Sequence, residues 1–289
     1  MQEHDWLVLK FEEKRTRLRA VAYRMLGSLH EADDAVQEAW MRLQHSRESN
    51  IDNLDGWLTT VIGRVCLDML RSRKSRREEP IEEHVPDLIV SSEIGTDPER
   101  TALIAESVGI ALLVVLETLA PAERLAYVLH DMFAVQFEEV ASIVGCSPVA
   151  ARQLASRARR RVQRGAPLPD VDRRQQRRVV DAFFAAVRDG DFEALLGVLD
   201  PDIVIRTDRG TLRKIQGARA AAEGAMVFAH LARSVQPVLI NGVAGIVSQL
   251  PSGEVFAVMS FIVRGDRISE IDVIRDPERL RRVDLSMLQ

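Results

Sequence analysis

The sequence predicts a multidomain chain: two all-α helical domains followed by an α+β domain. Three observations carry this expectation. Apolar residues recur at helical spacing through residues 5–77 and again through 101–164. A stretch rich in acids and proline, 78–100, separates these two, and a short linker, 165–174, containing Gly-Ala-Pro-Leu-Pro, follows the second. In the last part, 175–289, β signals arrive together, punctuated by Asn241-Gly242, Ser252-Gly253 and Gly265-Asp266, each a hairpin signal. At roughly 100–200 residues per domain, two or three domains suit the chain length.

In the first domain, Leu18, Val21, Ala22, Met25 and Leu26 share one helical face, and Gly27-Ser28 interrupts the helix. Glu31 to Leu43 restarts it, with acids in the first turn, where the helix dipole favours them. Ala35, Val36, Ala39, Trp40 and Leu43 form its core face; Asp33, Asp34, Gln37, Glu38 and Arg42 form its polar face. A polar loop, 44–55, precedes an amphipathic helix from Gly56 to Arg73 that carries Trp57, Leu58, Val61, Ile62, Val65 and Leu70. That helix ends in Arg71, Arg73, Lys74, Arg76 and Arg77. Cations at a helix C-terminus are favourable on dipole grounds alone.

The linker 78–100 holds eight acids and reads as extended rather than packed. Ile110 to Leu119 is almost wholly apolar, and Pro121 suits the first turn of the helix that follows. Phe137 to Gln163 then reads as helix, tight turn at Gly145-Cys146-Ser147, and second helix, the outline of a helix-turn-helix. Val140, Ile143, Val144 and Leu154, with Ala141 at the crossing, are the expected internal contacts. Five arginines lie between Ser147 and Gln163 with no acid among them, a composition suited to phosphate.

In the third domain, amphipathic helices are expected at Arg173–Gly190 and Phe192–Leu199 and an alanine-rich one at Gly217–Ala232. Strands are expected at Ile203–Ile205, Val235–Ile240, Val243–Leu250, Val255–Val263 and Ile268–Val273.

The net charge of -4 excludes a basic nucleic-acid coat; the charge is uneven instead. Cys66 and Cys146 are far apart and outside any CxxC, so neither a disulfide framework nor a zinc site is expected, and both read as buried thiols. The N-terminus lacks an apolar core of signal-peptide length, and no run reaches about 18 apolar residues. The expectation is a soluble, cytoplasmic protein without membrane contact.

Three segments carry a family resemblance: LHEADDAVQEAWMRL (29–43), DGWLTTVIGRVCLDMLRSRKSRR (55–77) and LAPAERLAYVLHDMFAVQFEEVASIVGCSPVAARQLASRARRRV (119–162). In this order, with the linker between them, they resemble the extracytoplasmic-function sigma factors, specificity subunits of bacterial RNA polymerase. The resemblance identifies 5–77 with sigma region 2 and 101–164 with region 4. It implies two partners, core RNA polymerase, through its clamp coiled coil and flap, and promoter DNA. Asp33, Asp34, Gln37 and Glu38 would dock on the clamp. Loop 44–55 would hold a flipped base of the downstream promoter element. Arg64, Arg71, Arg73, Lys74, Arg76 and Arg77 would hold the opened strand, and Trp57 is either a stacking platform or a core residue. The acidic linker would thread the RNA path of the polymerase.

For the upstream element, Pro148, Val149, Arg152 and Gln153 are the first-turn and groove-facing positions. Arg152 and Gln153 suit base edges, and Arg157, Arg160 and Arg161 suit phosphate. Ala150 and Leu154 stand where Thr and Arg are frequent in the family. Residues 175–289 resemble the SnoaL-like (NTF2-like) fold, a cone of helices wrapped by a curved sheet. Sigma factors with such a tail often carry a D-G-G-G-K loop and an N-P-D-K-L end; here degenerate versions, Asp208-Arg-Gly-Thr-Leu-Arg213 and Asp276-Pro-Glu-Arg-Leu280, stand in those places.

Two other function classes fit parts of the chain. A helix-turn-helix regulator with a ligand-sensing domain leaves residues 15–77 unexplained. A SnoaL-type cyclase or isomerase needs a pocket acid or His-Asp pair for proton transfer; Asp202, Asp208, His230, Asp272 and Arg275 are the candidates, and they form no spaced motif. The reading is therefore a non-enzymatic sigma factor with no cofactor or metal, whose tail sets its activity by contacting regions 2 and 4 or the polymerase.

Overall fold

A computed structural model describes residues 2–46, 51, 53–75, 86–91, 110–165, 172–209, 212–227, 229, 235–250, 252–281 and 283. The chain divides into two compact units, one helical and one α+β.

The helical unit contains both helical domains. Helices α1 (Gln2–Leu26), α2 (Leu29–His45) and α3 (Leu54–Ser75) pack on one another. The face foreseen for α1 is buried, and Ala32, Ala35, Val36, Ala39 and Leu43 meet it from α2. Ser28 caps α2, its hydroxyl accepting from the Glu31 N–H. Asn53 starts α3, its side-chain oxygen accepting from the Gly56 N–H at 3.1 Å.

Helices α4 (Ile110–Thr118) and α5 (Pro121–Tyr127) follow, and α5 runs on into a π-helical turn at Val128–Met132. Then come α6 (Phe137–Val144) and α7 (Pro148–Gly165), the expected helix-turn-helix. The turn needs a left-handed residue, and Gly145 supplies it with φ +80°. Val140, Ala141 and Ile143 are buried as expected, whereas Val144 and Leu154 are half-buried. The buried stripe of α7 is instead Ala151, Ala155, Ala158 and Val162, which let the helix axes approach closely. Cys66 is buried, and burial pushes its thiol well above the usual range. Cys146, expected to be buried, sits half-exposed in the turn.

In the α+β unit, helices α8 (Arg173–Asp189), α9 (Phe192–Val198) and α10 (Ala218–Val227) cover one face of a seven-stranded sheet. In chain order the strands are β1 (Val90–Ser91), β2 (Leu199–Asp208), β3 (Leu212–Gln216), β4 (Val235–Ile240), β5 (Val243–Gln249), β6 (Val255–Arg264) and β7 (Arg267–Ile274), with a short α11 (Pro277–Leu280) after them. The spatial order is β1-β4-β5-β6-β7-β2-β3, and among the described strands the β2–β7 pairing is parallel and the others antiparallel. Phe183, Phe184 and Phe261 meet edge-on or tilted at 5.2–5.8 Å between the helices and the sheet.

Two edge strands were not foreseen. One is β3. The other, β1, corrects the reading of the linker as unpacked. Residues 88–91 are extended, but Leu88, Ile89 and Val90 are buried, and Val90 and Ser91 pair with Ile240 and Leu239. Asn241, at the β4–β5 turn, accepts the Ile89 N–H through its side chain and donates its own N–H to the Ile89 carbonyl, both at 2.8 Å. A three-residue apolar run within an acidic stretch was the available signal. The remaining linker residues, 78–85 and 92–100, lie outside the described residues.

Candidate nucleic-acid interface

The amphipathic period of α2 puts its acids outside. Asp33, Asp34 and Gln37 are exposed and Glu38 is half-buried. Asp33 takes a bidentate pair from Arg19 at 2.6 and 3.0 Å, and Glu38 accepts from Arg42 at 2.8 Å. Asp34, Gln37 and Met41 stand on adjoining turns of this surface. Met41 is an exposed apolar side chain that charge-based reading passed over; its spacing of four from Gln37 was the signal.

The basic residues of α3 divide. Arg64 and Arg71 are exposed. Arg64 donates to the Ser142 carbonyl of α6 at 3.3 Å, and Arg71 lies 3.6 Å from Asp68. Arg73 is turned inward, donating to the Leu26 carbonyl at the end of α1 and pairing with Glu31 of α2. In this structure Arg73 packs the end of α1 against the start of α2. Trp57 is half-buried. The side chain of Lys74, all of Arg76 and Arg77, and residues 47–50 and 52 of loop 44–55 lie outside the described residues.

On α7 the helical period yields a continuous exposed stripe of Val149, Arg152, Gln153, Ser156 and Arg160. Pro148 is half-buried at the helix start, where Ser147 Oγ accepts the Ala150 N–H at 3.2 Å. Arg152 lies over the Phe137 ring, 5.5 Å from its centroid, and 3.3 Å from Glu138. Among the described residues Arg160 donates to the Ser156 carbonyl of its own helix, at 3.4 Å. Ser156 was not singled out from sequence, although it lies on the same face as Arg152, Gln153 and Arg160.

Two of the expected phosphate contacts have internal partners. Arg157 Nε donates to Glu123 at 2.7 Å, and Arg161 approaches the other oxygen of that carboxylate at 3.3 Å. Arg159 does the same with Asp131 at 2.7 Å. Glu123 is buried on α5, so the pair of arginines clamps α7 to α5. Glu123→Gln is expected to lower the stability of the helical unit by about 1–3 kcal/mol, because two guanidinium groups lose a charged acceptor. A thermal melt of the purified protein checks this; an unchanged midpoint would show that the clamp is solvent-screened.

The two helical domains are packed together within their unit. Helix α3 lies against α5 and α6. Gly63 makes this possible: a Cβ there would lie 2.9 Å from Ile143 Cγ2 and 3.4 Å from Leu125 Cδ1. Arg124 of α5 is buried and donates to the Met25 carbonyl at 2.6 Å; burial pulls its guanidinium down to about 10, with Glu117 opposing. Arg24 lies over the Phe133 ring at 5.1 Å.

The α+β unit holds a cavity of about 570 Å³ between its helices and the sheet. The proton-transfer candidates do not converge there. Asp202 is exposed, and His230 lies outside the described residues. Asp208 pairs with Arg279, while Asp272 and Glu270 both accept from Arg206, at 3.0 and 2.7 Å. Strand alternation turns these acids to the opposite face of the sheet from the cavity. Burial raises Asp272 and Glu270, against the pull of Arg206; burial also pulls Arg206 down, but the two carboxylates outweigh it and leave it raised. Among the described lining residues only Arg275 belongs to the candidate set.

The sequence and fold match known proteins. The family model for Sigma-70 region 2 matches residues 11–76, and that for Sigma-70 region 4 matches 109–162. A probable ECF RNA polymerase sigma factor, SigI of Mycobacterium tuberculosis, is 33% identical over 285 residues, covering 97% of each chain. The ECF RNA polymerase sigma factor SigJ of the same species is 42% identical over 205 residues, covering 70% of this chain and 64% of that one. The crystal structure of SigJ superposes with a TM-score of 0.78 at 32% identity, covering 96% of this chain and 99% of that one. Among the described residues no helix is long and apolar enough to cross a membrane.

Proposed function

Because the chain belongs to the extracytoplasmic-function sigma factors of bacterial RNA polymerase, we propose that its exposed α7 stripe reads the upstream promoter element while α2 holds the polymerase. The protein binds core polymerase and directs promoter-specific initiation. The observation that carries the assignment of roles is the sorting of arginines along α7. Arg157, Arg159 and Arg161 pair with the inward-facing acids Glu123 and Asp131, whose side chains are 10% and 16% exposed, whereas Arg152, Gln153 and Arg160 stand on the face away from them, where the one acid near Arg152 is the exposed Glu138. Long donors at Arg152 and Gln153 suit base acceptors in the major groove; Arg160, farther along, suits phosphate.

The experiment is reconstituted transcription with core polymerase and no other sigma factor. Transcript from a cognate promoter is the expected result; a requirement for a second sigma factor would favour an activator. Arg152→Ala or Gln153→Ala is expected to cost about 1–3 kcal/mol and to relax preference at one upstream base pair. Arg160→Ala is expected to weaken binding to all sequences alike and to reduce the salt slope by about one. Binding of the holoenzyme to a randomised upstream element, at two salt concentrations, separates the two classes of contact. Loss of preference in Arg160→Ala but not in Arg152→Ala would reverse the roles.

Asp34, Gln37 and Met41 form the polymerase-facing surface in this reading, and Asp33 and Glu38 are oriented by Arg19 and Arg42. The packed state of the helical unit is a resting form. Helix α3 is covered by the helix-turn-helix, and the two promoter grips share one interface; engaging two separate stretches of DNA requires them to part. The α+β unit modulates this step through the linker strand β1, which it takes into its own sheet.

A further inference from the structure

The cavity of the α+β unit sorts its residues by charge. It is lined by apolar side chains through most of its depth, among them Phe183, Phe184 and Met259. Four cationic residues, Arg209, Arg213, Lys214 and Arg275, also line it, and no described lining residue is acidic. Three of the four follow from register. Thr207 pairs with Arg213 across β2 and β3, and Asp208 pairs with Ile274 across β2 and β7, so Arg209 and Arg275 follow side by side. Strand alternation sends Arg209, Arg213 and Arg275 to the cavity face and Asp208, Glu270 and Asp272 to the other.

The arginines therefore gather at one end of the cavity. Arg209 and Arg213 are exposed there, and Arg275 lies over the Phe256 ring, 4.0 Å from its centroid. Burial, then the nearby charge of Arg209, pulls the Arg275 guanidinium below its usual range. Like charges drawn together at the mouth of an apolar chamber suit an anion. A second observation points the same way. Ser248 Oγ is a lining group, is buried, and has no hydrogen-bond partner among the described residues. Buried hydroxyls normally have one.

We propose that this cavity binds an amphipathic carboxylic acid, with its apolar body against Phe183, Phe184 and Met259 and its carboxylate held by Arg209, Arg213 and Arg275. The planar guanidinium fork matches a carboxylate in two parallel hydrogen bonds. The volume lies within the range of small-molecule sites, about 300–1,000 Å³. The apolar lining leaves a sugar or nucleoside without polar partners, whereas a hydrocarbon body needs none.

The test is isothermal titration calorimetry of the full-length protein with dodecanoate and naphthoate below their aggregation concentrations, each beside its methyl ester. The two acids distinguish a flexible chain from a rigid ring. At least one is expected to bind with one-to-one stoichiometry, about tenfold tighter than its ester. The double variant Arg209→Gln/Arg213→Gln is expected to reduce the acid to the affinity of the ester; both positions are exposed, so the fold is retained. Ala225→Trp, which fills the chamber, is expected to remove binding of acid and ester alike. Equal affinity of acid and ester, or no acid binding tighter than about millimolar, would overturn the proposal. The readout is independent of transcription, so its failure leaves the initiation reading standing.

Discussion

Gly63→Val is expected to raise promoter output in reconstituted transcription while lowering the melting temperature of the free protein. Gly63 lies in α3 where α5 and α6 cross it, and the distances leave no room for a side chain. A Cβ would sit 2.9 Å from Ile143 Cγ2, 3.4 Å from Leu125 Cδ1 and 3.7 Å from Leu129 Cδ1. Ile143 is β-branched and buried, so it has little freedom to turn aside. Overpacking at such a crossing costs about 1–3 kcal/mol. Nearly all of that cost falls on the packed form, because Val has a higher helix propensity than the Gly63 it replaces in α3 once the helices part. A wedge that penalises only the packed form shifts the population toward the parted one by the same free energy, about 5- to 150-fold. Small-angle scattering of the variant is expected to report a larger radius of gyration. A variant that is less stable, more extended and no more active would show that parting is not the limiting step. Arg124→Met serves as an independent probe of the same interface, since it removes the donor to the Met25 carbonyl from the opposite side.

This interface was the least legible part of the fold. The helices themselves follow from period: the buried faces of α1 and α2 are those the spacing predicts. The hairpins follow from turn chemistry, and Asn241, at φ +48°, and Gly242, at φ +84°, have the left-handed backbone that an Asn-Gly turn requires. The packing of one helical domain on the other left only Gly63 as a trace, and one glycine in a helix has many causes. The site residues show the same limit. Sequence counts arginines on α7 but does not say which have acids beneath them. Glu123 and Asp131 are 34 and 28 residues from the arginines that they bind, Arg157 and Arg159. The inward turn of Arg73 depends on a still more distant partner, Glu31, 42 residues away. In the α+β unit, alternation within each strand is readable, but the charge segregation depends on which strands are neighbours. β3 and β1 were not recognised as strands, and the parallel β2–β7 pairing joins segments far apart in the chain.

The linker strand supplies the second large effect. Val90→Glu is expected to detach β1 from β4 and to shift promoter output in the same direction as removal of residues 172–289. Val90 is 2% exposed and pairs with Ile240 at the edge of the sheet. The ladder residues beside it, Ser91, Leu239 and Ile240, carry no cation, and leaving a charge buried without a partner costs several kcal/mol. Among the described residues the strand is held by two ladder pairs, by the two bonds between Asn241 and Ile89, each worth about 1 kcal/mol net, and by the burial of Leu88, Ile89 and Val90; the substitution removes the Val90 share of that burial and adds the penalty of an unpaired charge. The sheet has its other neighbours on β4 and β5, so local release is expected rather than unfolding. Hydrogen exchange checks the structural half: amides of 88–91 and of Leu239 to Asn241 lose protection, while β5 to β7 keep theirs. Transcription checks the functional half. Because β1 belongs to the segment between the two helical domains, in the proposed mechanism its freedom would set how far that segment reaches, and its capture in the sheet would be the route by which the α+β unit acts on initiation. If exchange shows release and output stays at the parental level while the truncation changes it, that route is wrong and the unit acts by another surface. If Asn241→Ala, which removes the bond to the Ile89 N–H without adding a charge, moves output part of the way in the same direction, the strength of capture grades the effect.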